Sequence, residues 1–149
     1  MNKFYESGYV ERWHTNKHVP AQTTGQHSFG MLQLLIILHP NPSANLMQAI
    51  IRHDLHESFF GDSPHAAKNE YPSIRVFEEH AQRIFEKENG LKKLELRDED
   101  KLWLKLLDQL EVIFYLESLD CGDHSVILKQ CAILVDKYQK DLQGYGYFA

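Results

Sequence analysis

The stretch Ser43-Ala44-Asn45-Leu46-Met47-Gln48-Ala49-Ile50-Ile51-Arg52-His53-Asp54-Leu55-His56-Glu57 carries a reading of both the fold and the chemistry. Ser43 is a good N-cap, because its hydroxyl can accept from a backbone N–H left open in a first helical turn. Leu46, Ile50 and Ile51 follow at helical spacing, so the segment predicts a helix from Ala44 to about Glu57. His53 and Asp54 fall near its C-terminal end. Glu57 lies three residues after Asp54 and four after His53, which puts it on their helix face. An Asp beside an apolar stripe is costly to bury alone. That cost points to a partner, or to a surface position that removes the problem.

The same period recurs in both directions along the chain. Residues 2–11 can form a short first helix, and residues 12–22, with mixed polarity and a proline, read as a loop. Thr23 or Thr24 caps a helix to about Leu38, which His39-Pro40-Asn41-Pro42 stops. Phe59-Phe60-Gly61-Asp62-Ser63-Pro64 is a turn, and Pro64 can start a short helix to Lys68. Ser73 caps a helix over 74–88, closed by Asn89-Gly90. Asp98 starts a long helix to about Leu119, and Asp123 or Ser125 starts the last, to about Leu142. Nothing alternates at period two for long enough to be a strand, and no internal repeat is present. The expected fold class is all-α, about six helices in one domain spanning residues 1–149.

Composition sets outer limits. The chain has 149 residues, 43% hydrophobic and 25% charged, which is ordinary for one soluble globular domain. A net charge of −5 argues against binding a nucleic-acid polymer through a basic surface, though not against a local basic pocket for phosphate. Cys121 and Cys131 are too few for a disulfide scaffold and read as reduced thiols. The N-terminus has no apolar signal core, and the longest apolar run, Leu34 to Leu38, is too short to span a bilayer. These features lead to the expectation of a soluble cytoplasmic protein without a membrane partner.

Four residues stand out as a ligand set for a divalent cation: His27 at the start of an apolar helix, the His53-Asp54 doublet, and Asp108 inside Leu106-Leu107-Asp108-Gln109-Leu110. Each has a plainer reading alone. His27 can be a cap or core histidine, the doublet can arise by chance, and Asp108 can face solvent on a thin polar stripe. Taken in this order they favour a metal. Two imidazoles and two carboxylates suit Co, Mn, Zn, Fe or Ni better than Ca or Mg. Such a cation would bind a phosphoryl oxygen and activate water near neutral pH. Glu57 could orient that water or relay a proton, although by itself it reads as a surface glutamate. Asp62 in its tight turn could equally be an Asx-turn residue. Arg12 and Lys68 are candidate phosphate contacts, and Trp13 offers a stacking face.

The blocks Arg12-Trp13, Gln26-His27-Ser28, His53-Asp54-Leu55-His56-Glu57, Gly61-Asp62-Ser63-Pro64 and Lys68, with Asp108 downstream, resemble the HD-domain metal-dependent phosphohydrolases. Within that family they look like the bacterial 5′-deoxynucleotidase branch, and the match runs over roughly residues 9–120. The resemblance implies a helical HD-domain bundle with His27, His53, Asp54 and Asp108 as metal ligands. Arg12 would hold phosphate, Trp13 and Asp62 would shape the sugar pocket against a 2′-hydroxyl, Glu57 would assist the water or leaving group, and Lys68 would face the phosphate. The chain departs from the branch in three ways. Gln26 replaces the usual glutamate before the first histidine, there is less chain beyond the fourth ligand, and His14, Lys17, His18 and His65 add basic groups. The compact form also resembles phage HD proteins, including dATP triphosphohydrolases, which would work in a host cytoplasm. Extra basic groups, Lys17 and His65 among them, would suit a longer phosphate chain, with an additional Mg on a triphosphate. The expected function is hydrolysis of 2′-deoxynucleotides, with dATP triphosphohydrolase preferred and 5′-deoxynucleotidase as the alternative. A non-catalytic nucleotide-binding scaffold and a cyclic-nucleotide or alarmone hydrolase are more distant. Related proteins are homo-oligomers, and the aromatic tail Tyr145-Gly146-Tyr147-Phe148 either serves a partner or packs back on the domain.

Overall fold

A computed structural model describes residues 3–120 and 122–149 of the chain; Cys121 lies outside the described residues. Helices α1 (Lys3–Glu6), α2 (Thr24–Leu38), α3 (Ala44–Arg52), α4 (His65–Glu70), α5 (Ser73–Glu88), α6 (Asp98–Glu117) and α7 (Ser125–Gln143) dominate, in accord with an all-α HD-type bundle. Two short 3-10 turns, Ser7–Tyr9 and Leu55–Phe59, lie between them. One expectation is corrected: strands β1 (Glu11–Arg12) and β2 (Gln22–Thr23) pair antiparallel, Glu11 opposite Thr23 and Arg12 opposite Gln22. Two residues per strand are too few to leave a period-two signature, so the pairing was invisible in the pattern. The first helix is likewise shorter than expected, because residues 7–12 tighten into the 3-10 turn and then enter β1.

Chain contacts define two compact units. The first comprises Met1–Gln26 and Ile51–Leu94. Its apolar centre is Phe85, fully buried, with the Phe4 and Phe59 rings 6.5 Å and 5.6 Å away. The second comprises His27–Ile50 and Glu95–Ala149, and its core is Met31, Leu35, Leu46, Ile50, Trp103, Leu106, Leu107 and Leu142, all fully buried. The tail packs back here. Tyr147 and Phe148 each stand 5.2 Å from the Trp103 ring, so these aromatics act as core. No helix among the described residues is long and apolar enough to cross a membrane.

Local chemistry explains the helix ends. Ser43 caps α3 as expected, its hydroxyl accepting from Leu46 N–H at 3.0 Å and donating to the buried Asp100. The far end departs from expectation, for α3 stops at Arg52 rather than Glu57. The Gln82 amide donates to the Arg52 carbonyl at 2.8 Å, and the Arg52 guanidinium is tied to Glu86 and the Lys92 carbonyl. A carbonyl satisfied from outside no longer needs the next helical turn. His53 and Asp54 therefore sit in a turn, and Glu57 in the following 3-10 segment. Ile51, counted on the apolar stripe, is 44% exposed, while Leu46, Ala49 and Ile50 carry the burial.

Candidate functional site

The four ligand candidates divide equally, His27 and Asp108 in the second unit, His53 and Asp54 in the first. In the second unit α2 presents a fully buried His27 to α6. Its Nε2 lies 3.0 Å from Asp108 Oδ1, and its Nδ1 bonds Glu111. A neutral imidazole has one N–H. Once Nδ1–H serves Glu111, Nε2 turns a lone pair toward Asp108, and two acceptors that close repel unless a positive charge joins them. The Asp108 side chain is 36% exposed, so burial alone does not demand a counter-charge; the contact with His27 is satisfied either by a proton on Nε2 or by a cation shared with Asp108. A histidine whose far nitrogen is held by a carboxylate is the arrangement that orients metal-binding imidazoles. The donor chemistry therefore fits a divalent cation.

Glu111 was not among the expected residues. Its signal was spacing: it follows Asp108 by three on α6, hence one turn along the same face. Gly30 makes room for it, because a Cβ there would come 2.9 Å from Glu111 Cγ.

In the first unit His53 Nε2 is 3.0 Å from Asp54 Oδ2, and the Arg12 guanidinium approaches the same oxygen at 3.6 Å. Strand β1 delivers Arg12, and the next residue, Trp13, adopts a positive φ of 70°. That conformation is strained for a bulky side chain, and such strain clusters at functional sites. Asp62 follows Gly61, whose φ of 87° only glycine adopts freely, and lies 3.9 Å from His14. Glu57 and Asp62 both line a cleft of about 500 Å³, with Phe59 and Phe60 on its wall. Glu57 is 1% exposed, and its carboxyl is pushed up to about 10. Burial is the main cause, the Asp54 and Asp62 charges add to it, and Arg12 and Lys68 oppose it. Glu57 is thus a neutral acid in the metal-free protein and can donate a proton.

Lys68 is engaged, its Nζ 2.9 Å from Glu78 Oε1. His56, Glu57 and Glu78 offer ligand atoms within 4.8 Å of one another, a possible metal-binding group, but the Lys68 ammonium already neutralises Glu78. Lys17 and His65 are exposed, and their side chains form no hydrogen bond or ion pair among the described residues. Gln26, the departure from the family pattern, has a local task. Its side-chain oxygen accepts from Thr23 N–H at 2.8 Å while its own N–H donates to Thr23 Oγ1 at 3.1 Å, a reciprocal cap on α2.

No protein-family model matches the chain, and no curated protein matches it. Among solved structures, the cyanophage S-2L HD phosphohydrolase DatZ, bound to dA and one catalytic Zn2+ ion, is similar, with a TM-score of 0.67. The likeness covers 95% of this chain and 83% of that one at 16% identity. The fold is that of an HD phosphohydrolase. The notable polar residues come from scattered positions: helices α2 and α6 in the second unit, the turn after α3 and strand β1 in the first.

Proposed function

We propose that this HD-fold chain is a single-domain, metal-dependent phosphohydrolase of 2′-deoxynucleotides, with His27, His53, Asp54 and Asp108 as ligands of one divalent transition metal. The observation that carries the reading is His27, with a carboxylate on each ring nitrogen where only one can receive a neutral imidazole's proton. When bound, the cation supplies Lewis acidity toward a phosphoryl oxygen and acidifies water. The protein's own groups do the rest. Arg12 binds phosphate, and Glu57, protonated beside Asp54, gives its proton to the leaving oxygen or orients the attacking water. Trp13, with Asp62, bounds the sugar, and Lys68, Lys17 and His65 extend the phosphate-binding surface. The dA bound in DatZ supports a deoxyadenosine nucleotide, and dATP cleavage to deoxyadenosine and triphosphate, with Mg on the phosphate chain, is the preferred reaction.

The test is hydrolysis by purified protein with Mn, Co, Mg or Zn against all dNTPs and dNMPs, products separated by chromatography. Triphosphate from dATP is expected. Inorganic phosphate from monophosphates alone would replace this substrate with that of a 5′-deoxynucleotidase. Unchanged turnover in folded His53→Ala and Asp54→Ala variants would overturn the metal mechanism. The proposal includes a homo-oligomer, supported by Phe29, Ile36 and Ile37 standing exposed on α2. A monomeric mass by light scattering at micromolar concentration would refute that part.

A further inference from the structure

Helix α4 buries no side chain fully, so apolar burial contributes little to holding it in place. Three polar ties reach α5 from α4 and from Ser63 just before it. Lys68 Nζ sits 2.9 Å from Glu78 Oε1, the Ser63 hydroxyl also bonds Glu78, and Arg75 Nη2 donates to Asn69 Oδ1 at 2.9 Å. Two of the three converge on Glu78, which is only 8% exposed. A carboxylate that deep must be compensated. Burial pushes its carboxyl up, but nearby His56, the Lys68 charge and Ser63 together outweigh burial and hold it below the ordinary value. His56 is itself fixed. Gln82 spends its NH2 on the Arg52 carbonyl and Glu86, so its oxygen receives both the backbone N–H and Nδ1 of His56. The His56 Nε2 edge is thereby set 3.9 Å from Glu78. Glu78 also lines a cleft of about 390 Å³, together with His53, Arg75 and Arg83.

We propose that Glu78 is a positioning residue that latches the Ser63-to-Lys68 segment onto α5, and so places Lys68 and the neighbouring Asp62 for the nucleotide. The latch rests on the proposed function only in what Lys68 and Asp62 are placed for. A free lysine on a helix with no buried face would sample many rotamers, and phosphate would have to order it on binding. Anchored on Glu78, the ammonium is already ordered, with 18% of its side chain still exposed. Glu78 touches no reacting atom in this scheme; it acts through Lys68 and Ser63.

The test uses the full chain. Amide hydrogen exchange is measured without nucleotide for the wild type, Glu78→Gln and Glu78→Ala. Loss of a charge-assisted bond should speed exchange at Lys68 and at Tyr71, just past the end of α4, whose amides bond back to Pro64 and Ala67, by roughly tenfold or more, with α6 and α7 unchanged. Steady-state kinetics then read the positioning. Glu78→Gln should raise KM by about tenfold with kcat nearly constant, and the same change made on Lys68→Met should raise KM no further. Unaltered exchange in α4, a uniform rise across both units, or an equal KM effect with and without Lys68 would each overturn the proposal. Faster α4 exchange in a protein that hydrolyses no nucleotide with any metal would leave the latch standing and defeat the functional reading instead.

Discussion

Glu57 holds a proton where ordinary glutamates have lost theirs, and the consequence is measurable. The unfolded chain releases that proton near 4.3, while the metal-free folded protein keeps it until about 10. Between those values the folded state binds more protons, so Glu57's favourable contribution is complete below the lower value and is lost as pH rises toward the upper one. The slope can reach about 1.4 kcal/mol per pH unit. Chemical denaturation of metal-free protein at several pH values should show a steeper decline for the wild type than for Glu57→Gln. The same substitution should lower kcat about a hundredfold or more if the proton is used in the reaction, read from the rate with saturating dATP. Gly30 makes a second residue-scale case. Gly30→Ala would drive a methyl into Glu111 and disturb His27, so zinc affinity should fall roughly 10- to 100-fold by competitive chelator titration, while far-UV circular dichroism stays unchanged.

At the scale of elements, the start of α2 rests on the reciprocal Thr23–Gln26 cap, one residue before His27. Thr23→Ala should cost about 1 kcal/mol and lower Tm, whereas Gln26→Glu preserves the acceptor and should be nearly neutral; differential scanning calorimetry on both checks this. The Thr-x-x-Gln spacing was legible in the chain, yet a family comparison directs attention to the missing carboxylate instead of the cap. The end of α3 was not legible. Helical periodicity runs on through Glu57, and only Gln82, thirty residues downstream of Arg52, ends it by taking that carbonyl. Glu57 therefore reaches Asp54 by way of a 3-10 turn and not along a helix face.

For the molecule as a whole, metal binding should be stability. A cation held only by the folded chain adds RT ln(1 + [L]/Kd), about 2.7 kcal/mol at a hundredfold excess over Kd. Zinc or cobalt should therefore raise Tm by several degrees and a chelator should reverse it. His53→Ala and Asp108→Asn, one change in each unit, should each abolish the rise. A rise that survives either change would remove that residue from the ligand set.

The chain by itself determined the helical class, most helix starts and the polar residues proposed for the site. Caps, proline stops and apolar spacing are local, and residue type fixes what a side chain can ligate or protonate. Tertiary structure decided what depends on distant partners: Glu111 behind His27, Glu78 beneath Lys68, the halt of α3 at Arg52 and the retained proton on Glu57. Those outcomes arise from burial and from charges brought together by folding, and neither is written in the spacing of residues along a chain.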